Sequence, residues 1–415
     1  MSSYPRPASV SPVLIVVGAG AAGFFCAVNA ARLNPSLHVI ILEKTSSFLS
    51  KVRISGGGRC NVTHAMDDIT EMSKRYPRGQ HFVKKSFHEF FTQDTIKWFE
   101  ERNVKLKTEK DGRMFPVSDS SSSIINCLVN EANLYGVDIR LNTPVSSIRK
   151  SEKFEVHTSS GQVFSADFVC IACGGFQKSV MFKWLLELGH THAEPVPSLF
   201  TFNLPQHPIT KLMGVSVEKA RVKIEGTKLV EEGPVLITHW GLSGPAVLRL
   251  SAWGARLLAE KKYEFIAHVN WLPGFNESEL KDQFRYSREG QASKKICNQN
   301  MGLPQRLWEF FLEQSGISAE ARFADISSKA ENLLVKNLID YTVTVKGKTT
   351  FKEEFVTAGG INLNEVDAHT MMSRKVENLY FAGEILDVDG ITGGFNFQHA
   401  WTSGFIAAKT VAGKA

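Results

Sequence analysis

The chain has little cysteine and little excess charge. Six cysteines in 415 residues are too few for a disulfide scaffold, and their spacing matches no metal-ligand pattern, so no metal site is predicted. Cys170 and Cys173 form a C-x-x-C pair, but they lie where a buried strand runs into a glycine turn, so we expect reduced thiols. A net charge of +6 permits an anionic ligand or nucleic acid and requires neither.

Long hydrophobic runs are also scarce. Residues 13–31 carry no charged side chain and lie where a signal peptide would be. They contain three glycines within six residues, however, and only one cationic residue, Arg6, precedes them. A strand, a glycine turn and a buried helix explain this segment better, and we expect a cytoplasmic protein with no membrane partner.

The chain is long enough for two or three structural units. After a loose arm at residues 1–12, Val13–Val17, Ala21–Leu33 and His38–Leu42 predict a βαβ unit. We therefore expect an α/β fold, in which a Rossmann-like domain is interrupted by a β-rich, barrel-like domain and a small helical domain. The expected boundaries are 1–190 for the first part of the Rossmann-like domain, 191–275 for the β-rich domain, 276–340 for the helical domain, 341–352 for a return strand and 353–415 for the second Rossmann-like part.

The most specific motif is a glycine fingerprint between the first strand and the first helix. Gly18, Gly20 and Gly23 have the G-x-G-x-x-G spacing, and Glu43 follows 20 residues later at the end of the second strand. Gly18 permits the tight turn, Gly20 lets the backbone approach a pyrophosphate, and Gly23 lets helix and strand pack closely. Glu43 would accept hydrogen bonds from ribose hydroxyls and would repel a 2′-phosphate. This pattern predicts a dinucleotide site.

Further glycine turns extend this prediction. They occur at residues 55–61, at Gly174 and Gly175, at Gly383, and at Gly393 and Gly394. Consecutive glycines let backbone N–H groups face an anion or a flat ring. Each turn alone is also consistent with a structural role. Together with the fingerprint they favour FAD, held non-covalently, over a shorter cofactor.

Three blocks of the chain resemble YhiN/BaiN-type flavoproteins, a family also described as aminoacetone-oxidase-like. The blocks are residues 55–61 (SGGGRCN), residues 238–246 (THWGLSGPA), and the C-terminal stretch through residues 357–360, 381–390 and 393–401. The resemblance covers residues 13–410 with gaps. It implies an FAD-binding domain of the two-dinucleotide-binding type, interrupted by a β-rich domain and a helical domain.

The resemblance also implies roles for individual residues. The fingerprint glycines would bind the pyrophosphate, Arg53 takes the place of a basic residue before the SGGGRCN turn, and Glu384 resembles an acidic residue of a second flavin motif. The start of a helix after Gly394 would face the flavin pyrimidine. The expected FAD-binding residues are Gly18, Gly20, Ala21, Ala22, Gly23, Glu43, Lys44, Arg53, Gly57, Gly58, Arg59, Cys60, Asn61, Cys173, Gly174, Gly175, Gly383, Glu384, Gly393, Gly394, Phe395 and Asn396.

The chain departs from the family pattern in two places. Cys173 stands where relatives usually have Thr, and the segment after Gly175 is shorter and predicted to be helical. Two side chains are candidates for catalysis. His239 would supply a proton to the substrate or satisfy local backbone groups. Cys60 would have a pKa lowered by a neighbouring arginine or helix, or would simply pack against the flavin.

Three functions are compatible with these residues. The first is an FAD-dependent reductase of a carbon–carbon double bond, with the reduction of uridine to dihydrouridine in ribosomal RNA implied by the family. NAD(P)H would visit transiently, because no second G-x-G-x-x-G is present. Residues 51–113 contain 14 Lys and Arg against 9 Asp and Glu, with several phenylalanines, which predicts an RNA surface or a solvated basic face. The other two functions are oxidation of a small amine and a non-catalytic scaffold or RNA-binding role.

Overall fold

The structure is a computed structural model that describes residues 11–349 and 356–415. These residues form two compact units, one of residues 11–196 and 356–415 and the other of residues 197–349. Most of the arm predicted at the N-terminus, and the boundary predicted at 352 and 353, lie outside the described residues.

The strands are short and most are separated by turns or helices. In chain order within the described residues they are β1 (Val13–Val17), β2 (His38–Leu42), β3 (Thr63–His64), β4 (Leu106–Thr108), β5 (Arg113–Pro116), β6 (Asp138–Arg140), β7 (Val145–Lys150), β8 (Phe154–Thr158), β9 (Val163–Ala166), β10 (Phe168–Ile171), β11 (His192–Ser198), β12 (Thr201–Asn203), β13 (Ser216–Ile224), β14 (Val230–Ile237), β15 (Gly241–Ser243), β16 (Glu264–Asn270), β17 (Tyr341–Lys346), β18 (Lys348–Thr349), β19 (Val356–Ile361) and β20 (Leu379–Phe381).

The α-helices occur in both units. In chain order within the described residues they are α1 (Ala21–Leu33), α2 (Ser50–Gly58), α3 (Ile69–Ser73), α4 (Gln80–Ser86), α5 (Thr92–Glu100), α6 (Ser121–Leu134), α7 (Lys183–Leu186), α8 (Pro245–Trp253), α9 (Ala255–Glu260), α10 (Glu277–Gln291), α11 (Gln305–Gln314), α12 (Ser328–Ile339) and α13 (Phe395–Lys414). None of them combines the length and apolar composition that a bilayer span requires.

A parallel sheet with the order β20-β10-β1-β2-β6 forms the centre of the first unit. The strands are nearly continuous apolar runs because both faces of a parallel sheet are covered. Helix α1 is buried along most of its length and packs against α13, where a Cβ on Gly404 would lie 2.6 Å from the Ala22 carbonyl oxygen. The chain leaves β1 toward β2 on one side and returns in β10 on the other. This reversal creates a crevice at the carboxyl end of β1, which is where Rossmann folds bind nucleotides.

A buried polar network lies elsewhere in the first unit. The Glu365 carboxylate accepts hydrogen bonds from His190 Nδ1 (3.0 Å), Thr191 Oγ1 (2.5 Å) and Lys375 Nζ (2.7 Å). The Nε2 atom of His190 lies 3.0 Å from Ser373 Oγ. The serine oxygen also accepts two backbone N–H groups, so this Ser-His-Glu arrangement holds a turn rather than presenting a nucleophile.

The second unit is built on an antiparallel sheet with the order β17-β16-β13-β14-β15-β12-β18. Helices α10 to α12, predicted as a separate helical domain, share one hydrophobic core with this sheet. Leu307, Phe310 and Phe311 form the buried face of α11, as predicted, and the Phe311 ring lies 5.2 Å from the ring of Tyr341 in β17. The sequence pattern therefore located the helices, but their packing joins them to the β-rich unit.

Candidate dinucleotide-binding site

The three fingerprint glycines have different surroundings at the carboxyl end of β1. A Cβ on Gly18 would lie 2.6 Å from the Ala172 carbonyl oxygen, and a Cβ on Gly23 would lie 1.9 Å from the Gly18 carbonyl oxygen. A Cβ on Gly20 would have no atom within 4 Å. Gly18 and Gly23 are thus required for packing, whereas Gly20 keeps an open surface at the start of α1.

The start of α1 has the properties of an anion site. Gly20 is its N-cap residue, and no side chain caps the helix, so the N–H groups of the first turn, including those of Ala21 and Ala22, have no capping partner. Unpaired N–H groups and the helix dipole together favour a phosphate at this position. The geometry fits the pyrophosphate of a dinucleotide.

Glu43 lies directly after β2 and beside the glycine turn. Its Oε2 accepts a hydrogen bond from Ala19 N (2.9 Å), and its Oε1 accepts from Thr45 N (2.9 Å) and Thr45 Oγ1 (2.8 Å). These bonds fix the half-buried carboxylate, and Oε2, which accepts a single hydrogen bond, retains acceptor capacity toward a ribose hydroxyl. Lys44 is exposed next to it.

The SGGGRCN segment forms a second open turn, because the backbone of α2 is kinked and not helical at Ser55, Gly56 and Gly57. Gly56, Gly57 and Gly58 all have positive φ, and a Cβ on Gly57 or Gly58 would have no atom within 4 Å. Arg53 is exposed on α2, and its backbone carbonyl accepts a hydrogen bond from Ser121. The segment therefore presents bare backbone, as a flat or anionic ligand requires.

Arg59 is already engaged by protein groups. Its Nη1 lies 2.6 Å from Glu109 Oε1, and its guanidinium lies 3.9 Å from the centre of the Phe115 ring. The charge is thus balanced by a carboxylate of the same unit. Arg59 stays a predicted FAD-binding residue, and its guanidinium is paired with Glu109 before any ligand is added.

The turn after β10 faces a residue of the second flavin motif. Gly174 has positive φ and open space on its Cβ side, whereas a Cβ on Gly175 would lie 2.7 Å from Thr357 Oγ1 and 2.8 Å from Glu384 Oε1. Glu384 accepts from Thr357 N (2.9 Å) and pairs with Lys51 Nζ (2.5 Å). Lys51 was missed because an exposed lysine gives no motif of its own, whereas Thr357 begins a block of the family resemblance but was not predicted as a site residue. Thr357 Oγ1 is buried without a hydrogen-bond partner in the described part of the chain, which fits a ligand at this point.

The predicted start of a helix after Gly394 is confirmed, since α13 begins at Phe395. Gly393 and Gly394 have φ of +134° and +95°, and no side chain caps the helix. The Asn396 amide holds the loop before them, donating to the Gly390 carbonyl (2.9 Å) and accepting from Gly390 N (2.8 Å). The N–H groups of the first turn of α13 are thereby left for a ligand.

His64, which sequence reasoning missed, lies beside this turn. Its Nδ1 is 3.0 Å from the Gly393 carbonyl oxygen, and its ring stacks on Phe395 with centroids 4.8 Å apart. Asn61, which was predicted, also reaches this turn. The only signal for His64 in the sequence was its position three residues after Asn61.

Cys60 is buried, Cys173 is partly buried, and the pKa of each thiol is raised. Burial raises the pKa of the Cys60 thiol to about 12, and burial likewise raises the pKa of Cys173 to about 12. The prediction that a nearby charge lowers the pKa of Cys60 is therefore wrong, because desolvation of the thiolate outweighs any charge in reach. Packing is the role that this geometry supports for Cys60.

His239 lies in the second unit, in the turn between β14 and β15. Its ring is exposed and lies 4.0 Å from the Trp240 ring, and α8 begins at Pro245 as predicted. Within the described residues, its ring makes no hydrogen bond to a protein group. The role of His239, as a proton donor or as a structural histidine, stays a prediction.

The phenylalanines of the basic segment do not form an RNA surface. Phe82, Phe87, Phe90 and Phe91 are all at least 92% buried, and their rings pack within the first unit. They form the apolar side of an amphipathic segment and offer no exposed ring, while the two alternatives for the charged side, an RNA surface or a solvated basic face, stay predictions.

The chain matches known proteins along almost its whole length. The family model described as HI0933-like protein Rossmann domain matches residues 12–410. The chain is 29% identical over 407 residues to the 3-dehydro-bile acid delta(4,6)-reductase of Clostridium scindens, covering 96% of this chain and 98% of that protein. It is 30% identical over 406 residues to the ribosomal RNA dihydrouridine synthase of Escherichia coli, covering 95% and 96%.

Solved structures share the fold at lower identity. A flavocytochrome c3 fumarate reductase in its open conformation has a TM-score of 0.51 and 16% identity, with 98% of this chain and 79% of that chain covered. The 3-ketosteroid-delta4-(5alpha)-dehydrogenase from Rhodococcus jostii has a TM-score of 0.51 and 12% identity, with 98% of both chains covered.

Proposed function

This chain belongs to the HI0933-like family and is an FAD-dependent oxidoreductase, and on that premise we propose that it reduces a carbon–carbon double bond with NAD(P)H as electron donor. Family membership confirms the resemblance predicted from the motifs. The names of two relatives support the reaction class: one is a reductase of a bile acid and the other makes dihydrouridine, and both names denote saturation of a double bond.

The observation that carries the proposal is a set of open backbone surfaces within one unit. Gly20, Gly57, Gly58 and Gly174 each have free space on the side where a Cβ would lie, and α1 and α13 both begin without a side-chain cap. An elongated ligand with phosphates and a flat ring fits such a surface. FAD, when bound there, supplies the hydride-transfer chemistry.

The chain's own residues would hold and polarise the cofactor. The first turn of α1 would bind the pyrophosphate charge, and the Glu43 carboxylate would accept from ribose hydroxyls. The N–H groups at the start of α13 would stabilise negative charge on the flavin pyrimidine and raise its reduction potential. Glu384, fixed by Lys51 and Thr357, would accept from a cofactor hydroxyl.

His239 is our candidate for the proton donor. The imidazole is exposed, so a ring nitrogen is open to a substrate, and histidine is the side chain that most often transfers protons in enzymes. Replacing His239 by Gln should slow the reduction of substrate by about 10²-fold or more and leave reduction of the flavin by NAD(P)H unchanged. Equal loss in both half-reactions would refute this assignment.

Stopped-flow absorbance of the FAD-loaded protein tests the reaction class. Rapid reduction by NADH or NADPH supports the reductase, whereas rapid reduction by a small amine, with reoxidation by oxygen, would favour an amine oxidase instead. Reduction by neither donor would sink both enzymatic proposals and leave a scaffold role.

The finer proposal is that the substrate is a uridine in ribosomal RNA. Deleting the gene and mapping dihydrouridine in the ribosomal RNA tests it directly. An RNA substrate is supported if the deletion strain lacks a dihydrouridine, if the intact gene restores it, and if a gene carrying Gly20→Asp does not. An unchanged map would exclude it and direct the search to small conjugated molecules such as steroid-like enones.

A further inference from the structure

We propose that Asn61 and His64 act as positioning residues that clamp the Gly393–Gly394 peptide and thereby fix the start of α13 in the conformation that tunes a bound flavin. Both side chains come from one short segment, and the peptide lies more than 300 positions later in the chain. Their role rests on the proposed function, because it requires the start of α13 to face the flavin.

His64 holds one end of the peptide. The Gly393 carbonyl can only accept, so His64 Nδ1 carries the proton and donates to it over 3.0 Å. The ring is fixed by its stacking on Phe395, at an interplanar angle of 24°, and by Gly112, whose Cβ would lie 2.5 Å from His64 Nε2. The imidazole thus has one orientation and one tautomer.

Asn61 holds the other end. In the orientation that satisfies both ends of its amide, Asn61 Oδ1 accepts from Gly394 N over 3.0 Å and its Nδ2 donates to the Thr63 carbonyl over 3.1 Å. The Thr63 carbonyl also lies 2.5 Å from where a Cβ on Gly394 would be. No residue but glycine fits at this position.

A peptide group held at both ends cannot rotate. The C=O and the following N–H point to opposite sides of a planar peptide, so bonds to His64 and Asn61 fix the plane completely. Without them, two consecutive glycines would leave the turn free to adopt other conformations. The clamp therefore keeps the N–H groups of the first turn of α13 aimed in one direction, which is what electrostatic stabilisation of a flavin anion requires.

Two substitutions separate the hydrogen bond from the ring stacking. His64→Asn places an amide nitrogen close to the position of Nδ1 and loses the ring, whereas His64→Phe keeps a ring on Phe395 and loses the donor. His88→Ala, which removes an exposed histidine of the same unit, is the control. The readouts are the midpoint reduction potential of bound FAD and the dissociation constant for sulfite, which adds more tightly to a flavin whose negative charge is stabilised. Neither readout depends on the natural donor or substrate.

We expect His64→Phe to shift the potential to a more negative value and to weaken sulfite binding roughly fivefold, the effect of one hydrogen bond. His64→Asn and His88→Ala should stay close to the unchanged protein. The proposal would be overturned if His64→Phe had the reduction potential and sulfite affinity of the unchanged protein, or if His64→Asn shifted both by as much as His64→Phe.

Amide hydrogen exchange tests the clamp without FAD. In the apo protein, the Gly394 N–H should exchange roughly fivefold faster in His64→Phe than in His64→Asn. Equal exchange would overturn the clamp even if a variant does not retain FAD. Failure of the unchanged protein to bind FAD would overturn the proposed function instead, so the two failures are distinguishable.

Discussion

Replacing Gly20 by Asp should strongly weaken FAD binding without damaging the fold. Gly20 is the N-cap residue of α1, with φ of −88° and ψ of −171°, and a Cβ there would meet no atom within 4 Å. Asp is a favoured N-cap residue because its carboxylate accepts from the N–H groups of the first turn. The new side chain would therefore satisfy the same N–H groups that a pyrophosphate would use.

The expected effect of Gly20→Asp on the stability of the apo protein is much smaller than its effect on FAD binding. The change at the cap should alter the free energy of unfolding of the apo protein by about 0.5 kcal/mol or less, in the stabilising direction. A carboxylate about 4 Å from a phosphate charge costs about 4 kcal/mol of binding free energy at the dielectric of a protein surface. FAD affinity should then fall by about 10³-fold.

FAD titration, followed by quenching of its fluorescence, and thermal unfolding of the apo protein measure the two quantities. Gly290→Asp is the matched control, since Gly290 is exposed in α10 and also has open space on its Cβ side. Gly23→Ala is the opposite case, because its Cβ would lie 1.9 Å from the Gly18 carbonyl oxygen and should destabilise the protein by about 3 kcal/mol. Unchanged FAD affinity in Gly20→Asp would refute the assignment of the start of α1 as the pyrophosphate site. Equal destabilisation by Gly20→Asp and Gly23→Ala would refute the distinction between Gly20, which leaves space for a ligand, and Gly23, which is required for packing.

Three further predictions follow from buried titratable groups. Burial raises the pKa of Glu365, but hydrogen bonding from Lys375 outweighs it and lowers the pKa to about 2. The ionised carboxylate therefore stabilises the fold, and the free energy of unfolding should fall as the pH falls from about 4.5 to about 2. Glu365→Gln should lower the free energy of unfolding, measured in urea at pH 7, by about 2 kcal/mol and flatten its dependence on pH. Burial lowers the pKa of His399 to about 4. The free energy of unfolding should therefore fall between pH 6.5 and pH 4, because the unfolded chain takes up a proton that the folded chain does not. His399→Gln should remove this pH dependence, and an unchanged dependence would contradict the lowered pKa of His399. Cys60 has a buried thiol with a pKa of about 12, so it should resist iodoacetamide in the folded protein at pH 8, whereas the partly exposed Cys297 should react. Mass spectrometry measures the labelling of each cysteine, and early labelling of Cys60 would refute its role as a packing residue.

Elements governed by local patterns were predictable from the sequence. The ranges expected for β1, α1 and β2 agree with the structure residue for residue, because apolar runs, a glycine turn and a helical period act over a few neighbouring positions. The different roles of Gly18, Gly20 and Gly23 were predicted too, since the turn itself imposes them. The helical segment after Gly175 was also predicted correctly, and it forms a 3₁₀ turn at Ser179–Phe182 followed by α7.

Contacts between distant segments were decided only by the tertiary structure. The sequence gives no sign that Glu384 pairs with Lys51, that Arg59 faces Glu109, or that His64 contacts Gly393, because each contact joins positions whose separation depends on how the whole chain folds. Burial is likewise a tertiary property, and it explains the error at Cys60. Sequence alone thus determined the dinucleotide fingerprint, whose geometry is local, whereas the environment that sets the charge and reactivity of each site residue arises from packing between segments far apart in the chain.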